Sequence, residues 1–193
     1  NCTPTRYGFL TGRYPHRIGQ FSVLGTYSPP LIPESRLTVA SFLKQNGYTT
    51  ACIGKWHLGA DEWYPQKQGY DFNFGGCDYG QPPNYFDPFN QPKHRHAMIR
   101  AGIPHLPSRK KGQYLSDREA EEAVAFIEKH KHKPFFLNMD NYAVHTPIQA
   151  KTEVTAKYEK KPKTNQKSAK YAAMVESVDD CVGHIMETLE KHD

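Results

Sequence analysis

Two short apolar runs, YTTACIG at 48–54 and PFFLNMD at 134–140, limit what this chain can fold into. Each is too short for a buried helix and carries the β-branched or aromatic residues that favour strands. Helical patterns stand around them. Pro4 to Leu10 reads as a short helix, because proline is tolerated in a first turn and Gly12 supplies a stop. Leu37 to Gln45 is expected to form a second, burying Leu37, Ala40, Phe42 and Leu43 and ending at Asn46-Gly47. Ser116 with Glu119 spells a capping box for a helix running to Lys129. Tyr171, Met174, Val175, Val178, Val182, Ile185, Met186 and Leu189 recur at helical steps and predict an amphipathic helix. Helices alternating with strands predict an α/β fold, a mostly parallel sheet sandwiched by helices. In such sheets chemistry gathers beyond the carboxyl ends of the strands, where GKWHLG and NYAVHTP fall.

Only 37% of the 193 residues are hydrophobic, and 15 Pro with 14 Gly predict long loops. The main one is Asp61 to Gly112, rich in Pro, Gly, Tyr and Asn; a stretch of that kind is usually functional or covers a site. No apolar run approaches membrane-spanning length. The net charge of +5 has one source: Lys151, Lys157, Lys160, Lys161, Lys163, Lys167 and Lys170 face only Glu153 and Glu159. Aromatic rings are not interleaved with them as a nucleic-acid stacking platform requires, so a solvated lysine-rich loop and no nucleic-acid partner are expected. Cys2, Cys52, Cys77 and Cys181 form no C-x-x-C pair and no zinc spacing. They leave the redox compartment open, with one disulfide at most if Cys2 is chemically special.

Cys2 earns that separate treatment from its neighbours. On a helix starting near Thr3 it sits at the positive end, with Arg6 one turn along on the same face. Backbone N–H groups, the helix dipole and a guanidinium then converge on one spot, an oxyanion site with a nucleophilic sulfur at its edge. C-x-P-x-R alone is a weak signal. The longer string CTPTRYGFLTG resembles the first signature of the sulfatase family, and GYTTACIGKWH from Gly47 to His57 resembles the second. YAVHTP is similar to the family's H-T-P segment and YAAMVESVDDCVGHIMETLE to its late helix, so the resemblance covers almost the whole chain.

The resemblance implies an alkaline-phosphatase-like fold and a sulfuric ester hydrolase. Cys2 would be oxidised to formylglycine by a formylglycine-generating enzyme. One hydroxyl of the hydrated aldehyde would attack the sulfur of a sulfate ester, and the second would later expel sulfate. Arg6 would steady the hydrate, and Lys55 would reach both hydrate and sulfate as a point charge. His57, two residues on along an extended segment, would accept the hydroxyl proton, and His145 would bind sulfate or protonate the leaving alcohol. Asp78 and Tyr79, in GGCDYG, are candidate substrate contacts. Calcium is the implied metal, with Cys2 as formylglycine one ligand and the rest outside the chain.

With no initiating Met, residues 1–193 are expected to be the central part of the family's N-terminal catalytic domain, truncated at both ends. A secreted, periplasmic or lysosomal setting follows from the resemblance, and the substrate would be a small-molecule or carbohydrate sulfate ester. Two alternatives stand beside this reading: a phosphonate or phosphodiester hydrolase of the same superfamily, and a sulfated-glycan-binding homologue without turnover. His94 and His96 at i, i+2 in a loop are read as ordinary surface histidines.

Overall fold

The computed structural model describes residues 1–60, 64–163 and 165–192. The chain divides into two compact units, Asn1–Gly80 with Lys129–Asp140, and Gln81–Glu128 with Asn141–Asp193.

The first unit is built on three parallel strands in the order β2-β1-β3, where β1 is Thr49–Gly54, β2 is Phe72–Phe74 and β3 is Phe135–Asp140. The register sets Cys52 of β1 between Asn73 and Asn138 and brings Gly54 level with Asp140. Strand β1 is central, and Ala51, Cys52 and Ile53 are fully buried, as a strand covered on both faces must be. Helix α1 (Cys2–Thr11) ends at Gly12, whose φ of 64° is the left-handed stop the sequence calls for. Helix α2 (Val39–Gln45) starts later than expected, because Thr38 is its N-cap in a capping box with Ser41. Leu37 therefore lies outside the helix and Phe42 on its outer face, 52% and 51% exposed, and Ala40 alone is fully buried. Tyr7, Leu10, Ile32, Cys52, Trp56 and Tyr70 form the heart of this core.

The second unit holds α3 (Ala97–Ala101), most of α4 (Leu115–His130), α5 (Thr152–Glu159) and α6 (Ala169–Glu190). Ser116 does not cap α4. The helix begins a residue earlier, and Glu119 turns instead to Asn141 Nδ2 (2.7 Å) and the Tyr142 N–H (3.4 Å). Part of the expected lysine-rich loop is helix α5, and a single ring, Tyr158, stands among its lysines. Lys157 and Lys161 lie 5.6 and 4.6 Å from the Tyr158 ring, and Lys157 also pairs with Glu176 of α6. Helix α6 buries Met174 and Cys181 but leaves Val175, Val182 and Met186 exposed. All four cysteines are free thiols. Among the described residues no helix is long and apolar enough to cross a membrane.

Candidate active site

Three of the candidate residues converge where β1 ends. Gly54 has φ 94°, so the chain turns as it leaves the sheet, and the Lys55 N–H bonds the Asp140 carbonyl of β3 at 2.7 Å. Lys55 is thereby aimed back at α1, and its Nζ donates to Cys2 Sγ at 3.1 Å. Arg6, one turn along α1, donates from Nη1 to the Lys55 carbonyl at 2.7 Å and pairs with Asp140 Oδ1 at 3.1 Å. Helix α1 has no acidic residue in its first turn and no side-chain N-cap bond at Asn1. Its positive end, a buried ammonium and a guanidinium thus share the Cys2 corner.

The electrostatics follow from that crowding. Burial alone would raise the Cys2 thiol, but the Lys55 hydrogen bond and the charges of Lys55 and Arg6 outweigh it and leave the pKa below its usual value. Burial lowers the Lys55 ammonium, opposed by Cys2 and reinforced by Arg6. Burial raises the Asp140 carboxyl, with Arg6 and the Asn138 amide holding it back. The corner can therefore hold an anionic oxygen in place of the sulfur. A cavity of about 560 Å³ opens beside it, with Cys2, Arg6, Phe9, Trp56, Leu58 and Asp140 in its lining.

His57 reaches α1 by a different route from the one expected. The segment from Lys55 is not extended, since His57 has φ 58°. Its carbonyl accepts from Thr3 Oγ1 (3.1 Å), its N–H bonds the Cys77 carbonyl (2.9 Å), and its ring Nε2 sits 2.8 Å from the Leu24 carbonyl. A carbonyl only accepts, so Nε2 carries the proton and the basic lone pair is on Nδ1. Gly80 lies under the ring: a Cβ there would come within 2.8 Å of Cε1.

Asp78 and Tyr79 are 1% and 2% exposed, which leaves no surface for a ligand. Asp78 Oδ2 accepts from the Tyr27 N–H at 2.8 Å, which ties that segment to the loop at Tyr27. His145 belongs to the second unit. There its N–H bonds the Tyr142 carbonyl, Tyr85 Oη accepts from it at 3.2 Å, and the exposed ring lies against Thr146. The His94 and His96 rings lie tilted against each other, with centroids 5.3 Å apart. Two contributors escaped the sequence reading, Gly80 and Asp140. Asp140 had one visible signal, its place at the carboxyl end of a predicted strand.

The expected calcium is not supported by these residues alone. Among the described residues no group of three or more His, Cys, Asp or Glu side chains is arranged to hold a metal ion, and Asp140, the carboxylate beside the corner, is taken by Arg6. The charge of the corner suits an oxidised Cys2 side chain: Lys55 Nζ donates to the sulfur position at 3.1 Å and the Arg6 guanidinium adds positive charge nearby.

The Sulfatase family model matches residues 1–193. The chain is 33% identical to human (Homo sapiens) N-acetylgalactosamine-6-sulfatase over 98% of its own length and 37% of the relative's. It is 28% identical to an arylsulfatase of Hemicentrotus pulcherrimus over 99% of its length and 36% of that protein. Among solved structures, Ps i-CgsB superposes with a TM-score of 0.80 at 34% identity, covering 99% of this chain and 45% of that one. The chain thus spans less than half of each of these relatives. With both signatures in place around the Cys2 corner, the chain belongs to the sulfatase family.

Proposed function

We propose that the protein containing this segment hydrolyses sulfate monoesters, with carbohydrate sulfates as its substrate class, through a formylglycine made from Cys2 by a formylglycine-generating enzyme. The observation that carries the reading is the Cys2 corner, where Lys55 Nζ at 3.1 Å and Arg6 beside it stabilise negative charge at the end of α1. The hydrated aldehyde supplies a nucleophilic oxygen and a second hydroxyl through which sulfate is released. Lys55 holds the charge on that side chain and on the sulfuryl oxygens. Arg6, fixed at the Lys55 carbonyl, adds a second positive charge beside the side chain. His57 accepts the hydroxyl proton at Nδ1, its ring aimed by the Leu24 carbonyl at Nε2. His145 is assigned to the sulfate or the leaving alcohol. Calcium would be held in this reading by the Cys2-derived formylglycine together with residues outside 1–193, and would supply a Lewis acid there.

The carbohydrate preference is supported by the relatives: one is named N-acetylgalactosamine-6-sulfatase, and Ps i-CgsB has been solved in complex with k-i-k-neocarrahexaose. A secreted, periplasmic or lysosomal setting fits such substrates. The test uses the full-length enzyme matured with the modifying system. Peptide mass spectrometry should find an aldehyde at Cys2, and Cys2→Ser should lose turnover of sulfated oligosaccharide and aryl sulfate by roughly 10³-fold or more. Active enzyme with only unmodified Cys2 overturns the mechanism, and faster cleavage of a phosphodiester than of a sulfate overturns the reaction class.

A further inference from the structure

We propose that Asp140 is a positioning residue for Arg6, and that it sets the geometry of the Cys2 corner; the proposal rests on the sulfatase reading of that corner. Arg6 is held at two points, both at the carboxyl ends of neighbouring strands. Nη1 donates to the Lys55 carbonyl just past β1 at 2.7 Å and pairs with Asp140 Oδ1 at the end of β3 at 3.1 Å. A long side chain with one anchor swings about it; a second anchor from another strand fixes the guanidinium.

Asp140 is itself held. Asn138, two residues earlier and so on the same face of β3, donates Nδ2 to Asp140 Oδ2 at 2.7 Å and to Tyr70 Oη at 3.0 Å. The Tyr70 ring is buried and meets Trp56 edge-on, with centroids 6.1 Å apart. Trp56 lies between Lys55 and His57 in the chain. The relay Arg6, Asp140, Asn138, Tyr70, Trp56 therefore closes on the segment that carries two of the active side chains. The backbone makes the same link, since the Lys55 N–H bonds the Asp140 carbonyl. The pair is partly buried, with side chains 19% and 23% exposed, and Asp140 and Arg6 both line the cavity beside Cys2.

This explains why a carboxylate stands in an anion-binding corner at all. Nothing in that corner needs more negative charge for binding sulfate, and Asp140 in isolation weakens the field. Its benefit lies in geometry: it fixes Arg6 beside Cys2 while Lys55 donates to the sulfur position. Without it Arg6 is free to chase the substrate sulfate.

The experiment uses the full-length matured enzyme, with rates expressed per Cys2 aldehyde because Arg6 is also part of the C-x-P-x-R string read during maturation. Asp140→Ala should lower kcat on an aryl sulfate roughly 10- to 100-fold, as a displacement of about 1 Å in a reacting group does. KM should stay within about threefold. Asp140→Asn, which keeps the shape and loses the charge, should fall between Asp140→Ala and wild type. In an Arg6→Lys background Asp140→Ala should cost less than about twofold further, because the group it positions is gone. Wild-type kcat in both Asp140 variants overturns the proposal, and so do losses from Arg6→Lys and Asp140→Ala that multiply independently. The sulfatase reading fails differently: wild-type enzyme without an aldehyde, or without sulfate release, defeats that reading whatever the Asp140 variants do.

Discussion

His57 keeps a φ of 58°, a conformation that costs a residue with a side chain about 1 kcal/mol or more and persists only where surroundings over-determine it. Here they do: Thr3, Cys77 and Leu24 hold its carbonyl, its N–H and its ring Nε2. Gly80 lies against the ring, and its lack of a Cβ lets the imidazole approach the backbone. Gly80→Ala would put a methyl 2.8 Å from Cε1 and 3.2 Å from Nε2, while the φ there is one that alanine adopts freely. The ring must move, and the bond to Leu24 stretches with it. The expected result is a fall in kcat of about tenfold or more, again from a misplacement near 1 Å, with aldehyde content at Cys2 unchanged. Wild-type kcat for Gly80→Ala would show that the ring has room to shift without consequence. None of this could be read from GKWHLG, since the partners of His57, at Thr3, Leu24, Cys77 and Gly80, all lie at least 20 positions away in the chain.

At the scale of elements, β2 is joined to β1 by a clasp at Asp71. Its Oδ2 accepts from the Thr50 N–H at 3.0 Å, and its Oδ1 pairs with Lys44 at the end of α2 at 2.7 Å. Burial works against the charge, but the Lys44 and Thr50 bonds win and hold the carboxyl below its ordinary range. A depressed carboxylate stabilises the fold above its unfolded pKa of about 4, and that contribution fades as pH falls through the lower folded value. Asp71→Asn in the full-length protein should therefore melt a few degrees below wild type at pH 7, with the gap closing as pH drops toward 3. A gap independent of pH would mean that the clasp works through shape and not charge. The strands β1 and β3 and the Gly12 stop were legible because periodicity and turn chemistry are local signals. Strand β2 was not: three residues, FNF, carry too little pattern, and it is pairing with β1 and the Asp71 clasp that make them a strand. Likewise Glu119 is drawn to Asn141 and Tyr142, partners that its own sequence window does not contain. At the site, Cys2, Arg6 and Lys55 could be named from two signatures, whereas Asp140 needed the register that sets it level with Gly54.

For the whole molecule, the surfaces of the two units matter more than chain length. In the first, Phe9, Tyr14 and Phe21 are each more than half exposed, and the sheet ends in β2 on one side and β3 on the other, its residues only partly covered where those of β1 are buried. In the second, Val175, Val182 and Met186 form an open apolar stripe on α6, at seven- and four-residue steps along one face. Apolar patches of this kind and unpaired strand edges drive association in water. The polypeptide 1–193 on its own should therefore bind a hydrophobic dye strongly and self-associate at micromolar concentration. Its turnover of aryl sulfate, even with Cys2 converted, should stay below roughly 1% of the full-length enzyme's, since a misplacement of about 1 Å already costs about 10²-fold and a corner on a loose scaffold is misplaced by more. Dye binding, light scattering and a calcium-saturated assay beside the full-length protein check each part. A monodisperse fragment with a single cooperative melt and a rate near the full-length value would mean that these 193 residues hold the Cys2 corner unaided.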